Sequence, residues 1–356
     1  MNKIILASAL VLSIMACKKD EKPAIVGTNN EGKELVINAE GDTVIYEAPP
    51  REEAEIIKEK ENLDGIKAAN DGSYKFGLNL KKGSTYPFKI FTKSTSTESD
   101  GKQSATMTQE STTTLEYMVK EVKDSTFVLD VTYKQFAEKY SDGKESFSFD
   151  TNSPTAPTNE FLKLRYDFNK AVVGNTFQME VSTRGKVKSI NNLWNVREKV
   201  KNKLKDNLSP EEIKALDEII NMAINDEAMQ HMFEESMAYY PKKDVKLGDT
   251  WNRTESAGSA NSKMTYTFES IENNIATIKL SGTSTGSETK NMPDGSGMKL
   301  HQSLDGKVNG TVNINVNSGW IQNAVMDKDE TMRMTQEFQG QKANYSSKVK
   351  SNTKIN

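Results

Sequence analysis

Lys82-Gly83-Ser84-Thr85-Tyr86, set beside Leu247-Gly248-Asp249-Thr250-Trp251, decides how this chain folds. Each stretch is a glycine turn, then a threonine, then an aromatic residue at the head of a β pattern. Two further matches follow in the same order. Tyr117 to Val122 parallels Tyr266 to Ile271, each leading through a short polar turn into an alternating strand. Phe177 to Val187 parallels Val312 to Ile321, each a strand, a glycine turn and a strand. Three matches in a kept order predict two copies of one β unit.

Alternation of apolar and polar residues is the mark of a strand with one wet face. It runs through Phe76, Leu78 and Leu80, through Tyr86, Phe88 and Ile90, and through Phe127, Leu129 and Val131. Residues 94–114 are rich in Ser and Thr and predict long exposed strands around an Asp100-Gly101 turn. Phe161, Leu164 and Tyr166 read as one more strand-like segment.

Between the two β regions the period becomes helical. Trp194 to Lys205 carries apolar residues at 194, 196, 200 and 204. Ser209-Pro210-Glu211-Glu212 is a start signal, with Ser as N-cap, Pro at the first position and Glu closing a capping box. Ile213, Leu216, Ile220 and Ile224 then mark one face, expected against the sheet. A break at Asn225-Asp226 precedes a segment bearing Met229, Met232 and Phe233. Methionine makes soft, adaptable apolar surfaces, so these three are candidates for the rim of a ligand cavity.

The expected fold is therefore α+β and mostly antiparallel β, with two related curved-sheet or half-barrel units and a helical insert. The expected boundaries are 1–16 for a signal peptide, 17–72 for a tether with a short hairpin and a helix, 73–191 for the first β unit, 192–241 for the insert and 242–356 for the second β unit. The tether hairpin joins Leu35-Val36-Ile37 to Val44-Ile45-Tyr46, and the charged stretch Arg51 to Lys67 reads as a helix.

Lys3, the apolar run Ile4 to Met15, Ala16 and then Cys17, the only cysteine in 356 residues, form a processing signal. The run is about half of the ~20 residues a spanning helix requires. Ile14-Met15-Ala16-Cys17 resembles the lipobox of bacterial lipoproteins, which implies acylation of Cys17 and anchoring in the outer membrane. Several acyl chains hold a protein to a bilayer stably where one does not. Lys18-Lys19-Asp20-Glu21-Lys22 resembles the surface-export signal of Bacteroidota lipoproteins and implies display at the cell surface, with the periplasmic face as the alternative. Lys81, Gly83 and Tyr86, with Tyr240, Pro241, Val245, Gly248, Asp249 and Trp251, resemble an uncharacterised family of Bacteroidota lipoproteins with no assigned activity. Asp42-Thr43-Val44 and Asp124-Ser125-Thr126 resemble the O-glycosylation sequence of that phylum, which makes Thr43 and Ser125 candidate acceptors.

Composition limits the chemistry. The formal net charge is −3, and removal of residues 1–16 with Lys3 makes it −4. Without a basic block, nucleic acid is not an expected partner. Apolar residues make up 35% and mean hydropathy is −0.67, in keeping with half-solvated sheets. His231 and His301 are the only histidines, and neither stands near a nucleophile motif. No catalytic, cofactor or metal site is expected. Asp249 is expected to brace its turn and Trp251 to pack in the sheet. The expected function is a lipid-anchored, non-catalytic lipoprotein that binds or carries a hydrophobic or glycan ligand. The alternative is a structural or assembly subunit of a cell-envelope complex.

Overall fold

The computed structural model describes residues 25–28, 34–37, 43–45, 65–206, 208–237, 239–257, 259–291 and 298–356. Three short strands, β1 (Ile25–Thr28), β2 (Glu34–Ile37) and β3 (Thr43–Ile45), make a small antiparallel sheet. β2 and β3 are the expected hairpin, with Leu35 opposite Ile45. β1 adds a third strand to that hairpin, with Ile25 opposite Val36 and a register irregularity before Gly27. The helix expected over Arg51 to Lys67 lies outside the described residues as far as residue 64. From residue 65 the chain is already part of the body, through β4 (Lys67–Ala68) and β5 (Tyr74–Lys75). Ile66 is buried and its N–H donates to Val316 O at 2.7 Å. Gly65 permits this passage, because a Cβ there would stand 2.3 Å from Val316 O.

The body is one antiparallel sheet of twelve strands. In chain order they are β6 (Thr85–Ser99), β7 (Ser104–Val122), β8 (Thr126–Ser141), β9 (Ser146–Asp150), β10 (Thr176–Ser182) and β11 (Val187–Asn191), then β12 (Thr250–Ala257), β13 (Ala260–Glu272), β14 (Ile275–Asn291), β15 (Lys299–Asn315), β16 (Ile321–Phe338) and β17 (Gln341–Ile355). The spatial order is β11-β10-β8-β7-β6-β17-β16-β15-β14-β13-β12, with β9 added beside β8. The α+β, mostly antiparallel expectation holds, and the two β regions prove to be halves of a single sheet.

The halves repeat each other at corresponding turns, pairs and bulges. Gly83 N donates to Val119 O at 2.8 Å and Val119 N donates to Ser84 O at 2.9 Å. Gly248 N donates to Phe268 O at 2.7 Å and Phe268 N donates to Asp249 O at 3.0 Å. Tyr86 faces Tyr117 as Trp251 faces Tyr266. The next strand pair is bulged directly after Val119 in one half and directly after Phe268 in the other. A further bulge falls between Glu180 and Val181, and again between Asn313 and Ile314. Both bulges precede glycine turns, at Gly185 (φ 75°) and Gly319 (φ 68°). On this register β6, β7, β8, β10 and β11 correspond to β12, β13, β14, β15 and β16. β17 has no counterpart and instead joins the halves, pairing with β6 from Ile355 opposite Ile90 to Ser346 opposite Ser99.

At the corresponding junction, between β11 and β12, helices take the place of a strand. α2 (Leu193–Leu204), α3 (Pro210–Ala223) and α4 (Asp226–Met237) lie there. Gln230 Nε2 on α4 donates to Val187 O of β11, and Arg253 Nη1 of β12 donates to Glu234 O of α4, each at 3.5 Å. The two edges of the sheet thus come within one helix of each other, a span of about 10–12 Å, without closing a barrel. The capping box of Ser209 and Glu212 is formed. The expected docking of α3 on the sheet needs correction: it packs on α2, with Lys201 Nζ 2.7 Å from Asp217 Oδ2, and α2 packs on β10. Ile220 and Ile224 are buried, while Ile213 and Leu216 are half-buried, as suits an outer layer.

A fourth helix, α1 (Glu160–Val172), occupies the segment expected to be strand-like. Asn159 caps it by accepting from Leu162 N, and Leu162 and Tyr166 bury one face against Phe149 of β9. One core joins both halves. Trp320, in the β15–β16 turn, lies 5.1 Å from Tyr117 and 5.0 Å from Tyr86, and Phe76 lies 5.0 Å from Phe268.

Gly319 sits where this core is tightest. Its φ is left-handed, and a Cβ would stand 1.9 Å from Gly77 O. Gly101, at the β6–β7 tip, has the same handedness but open space around it. We expect Gly319→Ala to cost at least ~2 kcal/mol, backbone strain plus clash, and Gly101→Ala about 1 kcal/mol. Urea midpoints at constant slope measure both; equal losses would contradict the packing described.

Candidate functional site

The strands are longer than the core they cover. β7 has 19 residues and β14 to β17 have 15 to 18, so at ~3.3 Å per residue they run on well past the buried rows. Register fixes what their inner face carries there. The row Ile278, Val312, Ala324, Ile355 and Ile90 belongs to the core. Moving outward on the same face, the rows read Leu280-Gly310-Met326, Gly282-Val308-Lys328, Ser284-Gly306-Glu330-Val349, Gly286-Leu304-Met332-Ser347 and Glu288-Gln302-Met334-Tyr345. The opposite face of these strands carries Lys279, Thr283, Lys307, Asp327, Asp329, Arg333, Lys348 and Lys350. The outer half of this inner face is therefore mixed: polar rows at Lys328 and Glu330 separate the core from an apolar group at Leu304, Met332 and Met334.

The helices pack on β8 to β11 and leave this apolar stretch aside. Leu300, Leu304, Met332, Met334 and Val349 are half-buried and join neither buried cluster, while Phe338 and Tyr345 are exposed. Two methionines lie flat over glycines: a Cβ on Gly282 would stand 2.3 Å from Met264 Sδ, and one on Gly310 would stand 3.0 Å from Met326 Cγ. Methionine supplies apolar contact that can reshape. One polar spot interrupts the face. Lys328 Nζ is 2.8 Å from Glu330 Oε1, which also accepts from Ser284 Oγ at 3.3 Å.

A shallow cleft of about 420 Å³ opens elsewhere, lined by Phe91, Glu110, Thr112, Lys139, Asp150 and Pro157 among others. Its carboxylates are already held: Glu110 by Lys93 at 2.9 Å, which lowers its pKa, and Asp150 by Gln135 Nε2. A second void of about 10 Å³ lies under Trp320 and has room for one water at most.

The expected cavity rim needs correction. Phe233 is fully buried between Tyr117 and Phe177, at 5.6 and 5.8 Å. Met229 is buried and accepts from Tyr133 Oη at 3.0 Å. Neither borders either cleft. The physical reason is position: α4 fills the space between two sheet edges, so its apolar face is core. The side chain of Met232 lies outside the described residues, as does Cys17. Thr43 is exposed in β3 and Ser125 is exposed in the β7–β8 turn. His301 is exposed and shares a hydrogen bond with Thr289 Oγ1 at 2.8 Å. Asp249 braces its turn by accepting from Lys246 N, and Trp251 stacks on Tyr266 at 5.7 Å. Among the described residues no three His, Cys, Asp or Glu side chains gather to hold a metal ion, and no helix is long and apolar enough to cross a membrane.

The sequence matches a family of unknown function, DUF6263, over residues 124–321, more than half of the chain. The protein belongs to this family. The matched region runs from the turn before β8, through the helices, to the start of β16. No curated protein matches. Among solved structures, one of lipovitellin described as showing lipid–protein interactions is 10% identical, with a TM-score of 0.38 over 77% of this chain. This chain spans 25% of that one. An outer membrane channel from Pseudomonas putida F1 is 8% identical over 79% of this chain and 98% of its own, with a TM-score of 0.17. A loop-deleted OmpT, an outer membrane protein of Vibrio cholerae, is 9% identical over 77% of this chain and 100% of its own, at 0.18. Scores this low carry nothing over to this member of the family.

The two sets of methionines should separate in stability. Met229→Ala empties a packed site and should cost ~2–5 kcal/mol. Met332→Ala removes a half-solvated side chain and should cost under about 1 kcal/mol. Equal large losses in urea unfolding would mean that the outer face is covered.

Proposed function

We propose that this protein is a non-catalytic envelope protein that holds a hydrophobic or amphiphilic ligand on the apolar face of its outer sheet, and that acyl chains on Cys17 anchor it to the outer membrane. One observation carries the ligand reading. On the face that buries Ile278, Val312 and Ala324, and beyond the Lys328 and Glu330 rows, Leu304, Met332 and Met334 form an apolar group on strands that no helix packs against. Contiguous exposed apolar surface in a folded protein marks a binding site or an aggregation hazard. Two features favour binding. Its glycines bring Met264 and Met326 close against the sheet, and a Lys328–Glu330 pair offers a polar group beside it.

An acyl chain fits this chemistry. Each CH₂ moved from water onto apolar surface contributes about 0.8 kcal/mol, and methionines adapt to a chain of any kink. The Lys328–Glu330 ion pair supplies a polar contact for a head group. The leader and Cys17 support placement of the body at a membrane surface, where such ligands are abundant.

A dansyl-labelled fatty acid tests the site. It should bind with increased fluorescence, and Met332→Glu should weaken it at least ~tenfold by putting a charge on the apolar face, while Met229→Leu should leave it unchanged. Unaltered affinity in Met332→Glu would refute the site. The anchor is tested separately: Cys17→Ala should move the protein from the membrane fraction to the soluble fraction, and continued membrane attachment would place the anchor elsewhere.

A further inference from the structure

The first half departs from the repeat at one place. β14 and β15 pair with each other from end to end, but between their counterparts, β8 and β10, the chain adds β9, residues 151–159 and α1. The second half builds its sheet without such a segment, so the sheet itself does not require one. Binding residues concentrate on connections that a rigid scaffold holds in place, and this added segment walls the cleft of about 420 Å³.

Register places the floor of the cleft. Phe91, Thr112, Ala137 and Asp150 stand side by side across β6, β7, β8 and β9. Lys93, Glu110, Lys139 and Ser148 form the next row on the same face. That face points away from the core, because Ile90 and Phe136, one residue along their strands, pack against the core.

Ser153, Thr155 and Pro157 form the wall, and the fold fixes it from several sides. Thr151 is buried, its hydroxyl accepts from Phe136 N at 2.9 Å, and its carbonyl accepts from Lys170 Nζ. Tyr166 Oη donates to Ser153 O at 2.9 Å, and Ser153 N donates to Asp150 O at 2.9 Å. A wall already in place spares a ligand the cost of ordering it.

The lining selects a chemistry. The volume falls within the ~300–1,000 Å³ of small-molecule sites. Phe91, Ala137 and Pro157 offer apolar surface. Glu110 and Asp150 are held by Lys93 and Gln135, and carboxylates only accept hydrogen bonds. Charge around the cleft is balanced, with Glu110, Glu138 and Asp150 against Lys93, Arg165 and Lys139, and Glu138 paired to Arg165. The ligand that fits is neutral, donates several hydrogen bonds and lays a C–H face on an aromatic ring. A sugar ring has all three properties.

We propose that this cleft is a second binding site, for a neutral saccharide ring, free or at the end of a glycan chain. The C–H face of the ring lies on Phe91, and its hydroxyls donate to Glu110 and Asp150. The site does not rest on the apolar group at Met332 and Met334, which lies on the other face and in the other half of the sheet.

Saturation-transfer NMR of the Cys17→Ala protein tests this with glucose, galactose, mannose and N-acetylglucosamine and with the methyl glycoside of each. At least one sugar should take up saturation, most strongly at the ring protons of a single face. Equal binding of the methyl glycoside supports a chain-linked unit, and binding lost on methylation supports the free sugar. Phe91→Ala removes the apolar floor and should weaken binding at least ~tenfold. Glu110→Ala removes a charged acceptor and should weaken it by a similar factor. Lys307→Ala, on the solvent side of the other half, should leave it unchanged, and circular dichroism checks that each variant is folded. No transfer to any of these sugars overturns the proposal. Transfer undiminished in both Phe91→Ala and Glu110→Ala, or abolished in Lys307→Ala, overturns it too.

Discussion

The pairing of β17 with β6 is the contact on which everything else rests. It joins Ile355 to Ile90 and Ser346 to Ser99, residues that stand about 250 positions apart in the chain. Each half alone is a meander with one apolar face and nothing to cover it. Joined through β17, the halves curl around a common set of aromatic residues, Phe76, Phe88, Tyr117, Trp320 and Phe268. Closing so long a loop costs entropy that rises only slowly with length, whereas burying an aromatic side chain stabilises by about 1.5–3 kcal/mol. The arithmetic favours the long-range pairing once several rings are buried together. It also predicts slow, cooperative folding, since few contacts are local.

The same pairing explains why the sheet outruns its core. Strands of 15 to 19 residues support one another by backbone hydrogen bonds along their full length, while the helices and the segment Phe76 to Leu80 fill only one end. Beyond that end the inner face still follows the core register. In the first half it changes to Thr92, Ser94, Ser111 and Gln109, which water can solvate. In the second half it alternates between polar residues, Lys328 and Glu330, and an apolar group of Leu304, Met332 and Met334. A face that mixes hydroxyls, one ion pair and an apolar group suits a ligand that is itself amphiphilic.

Much of this was legible in the chain. The two glycine-threonine-aromatic turns predicted the repeat, and the structure repeats them down to reciprocal hydrogen bonds and bulges. The capping box and the break before Asp226 were readable because helix ends have local chemistry. Other features were not. α1 read as strand-like because Phe161, Leu164 and Tyr166 satisfy no clean period, and the N-cap of Asn159 is one residue of weak signal. β9 is five residues whose pairing depends on β8 being in place. Met229 and Phe233 read as a rim because composition speaks of softness and says nothing of depth; only the closeness of β11 to β12 buries them. The alternation of Met326, Met332 and Met334 was present in the sequence, but which face it joined depended on register with β15 and β17, a long-range fact.

Labelling of single cysteines placed in turn at Met332, Arg333, Met334 and Thr335 of the Cys17→Ala protein, with and without a fatty acid, tests the amphipathic outer sheet most directly. Maleimide reaction should slow on ligand addition at 332 and 334 and stay unchanged at 333 and 335, because alternate side chains of a strand face opposite sides. Protection that is uniform along the four positions, or absent from all of them, would contradict the account.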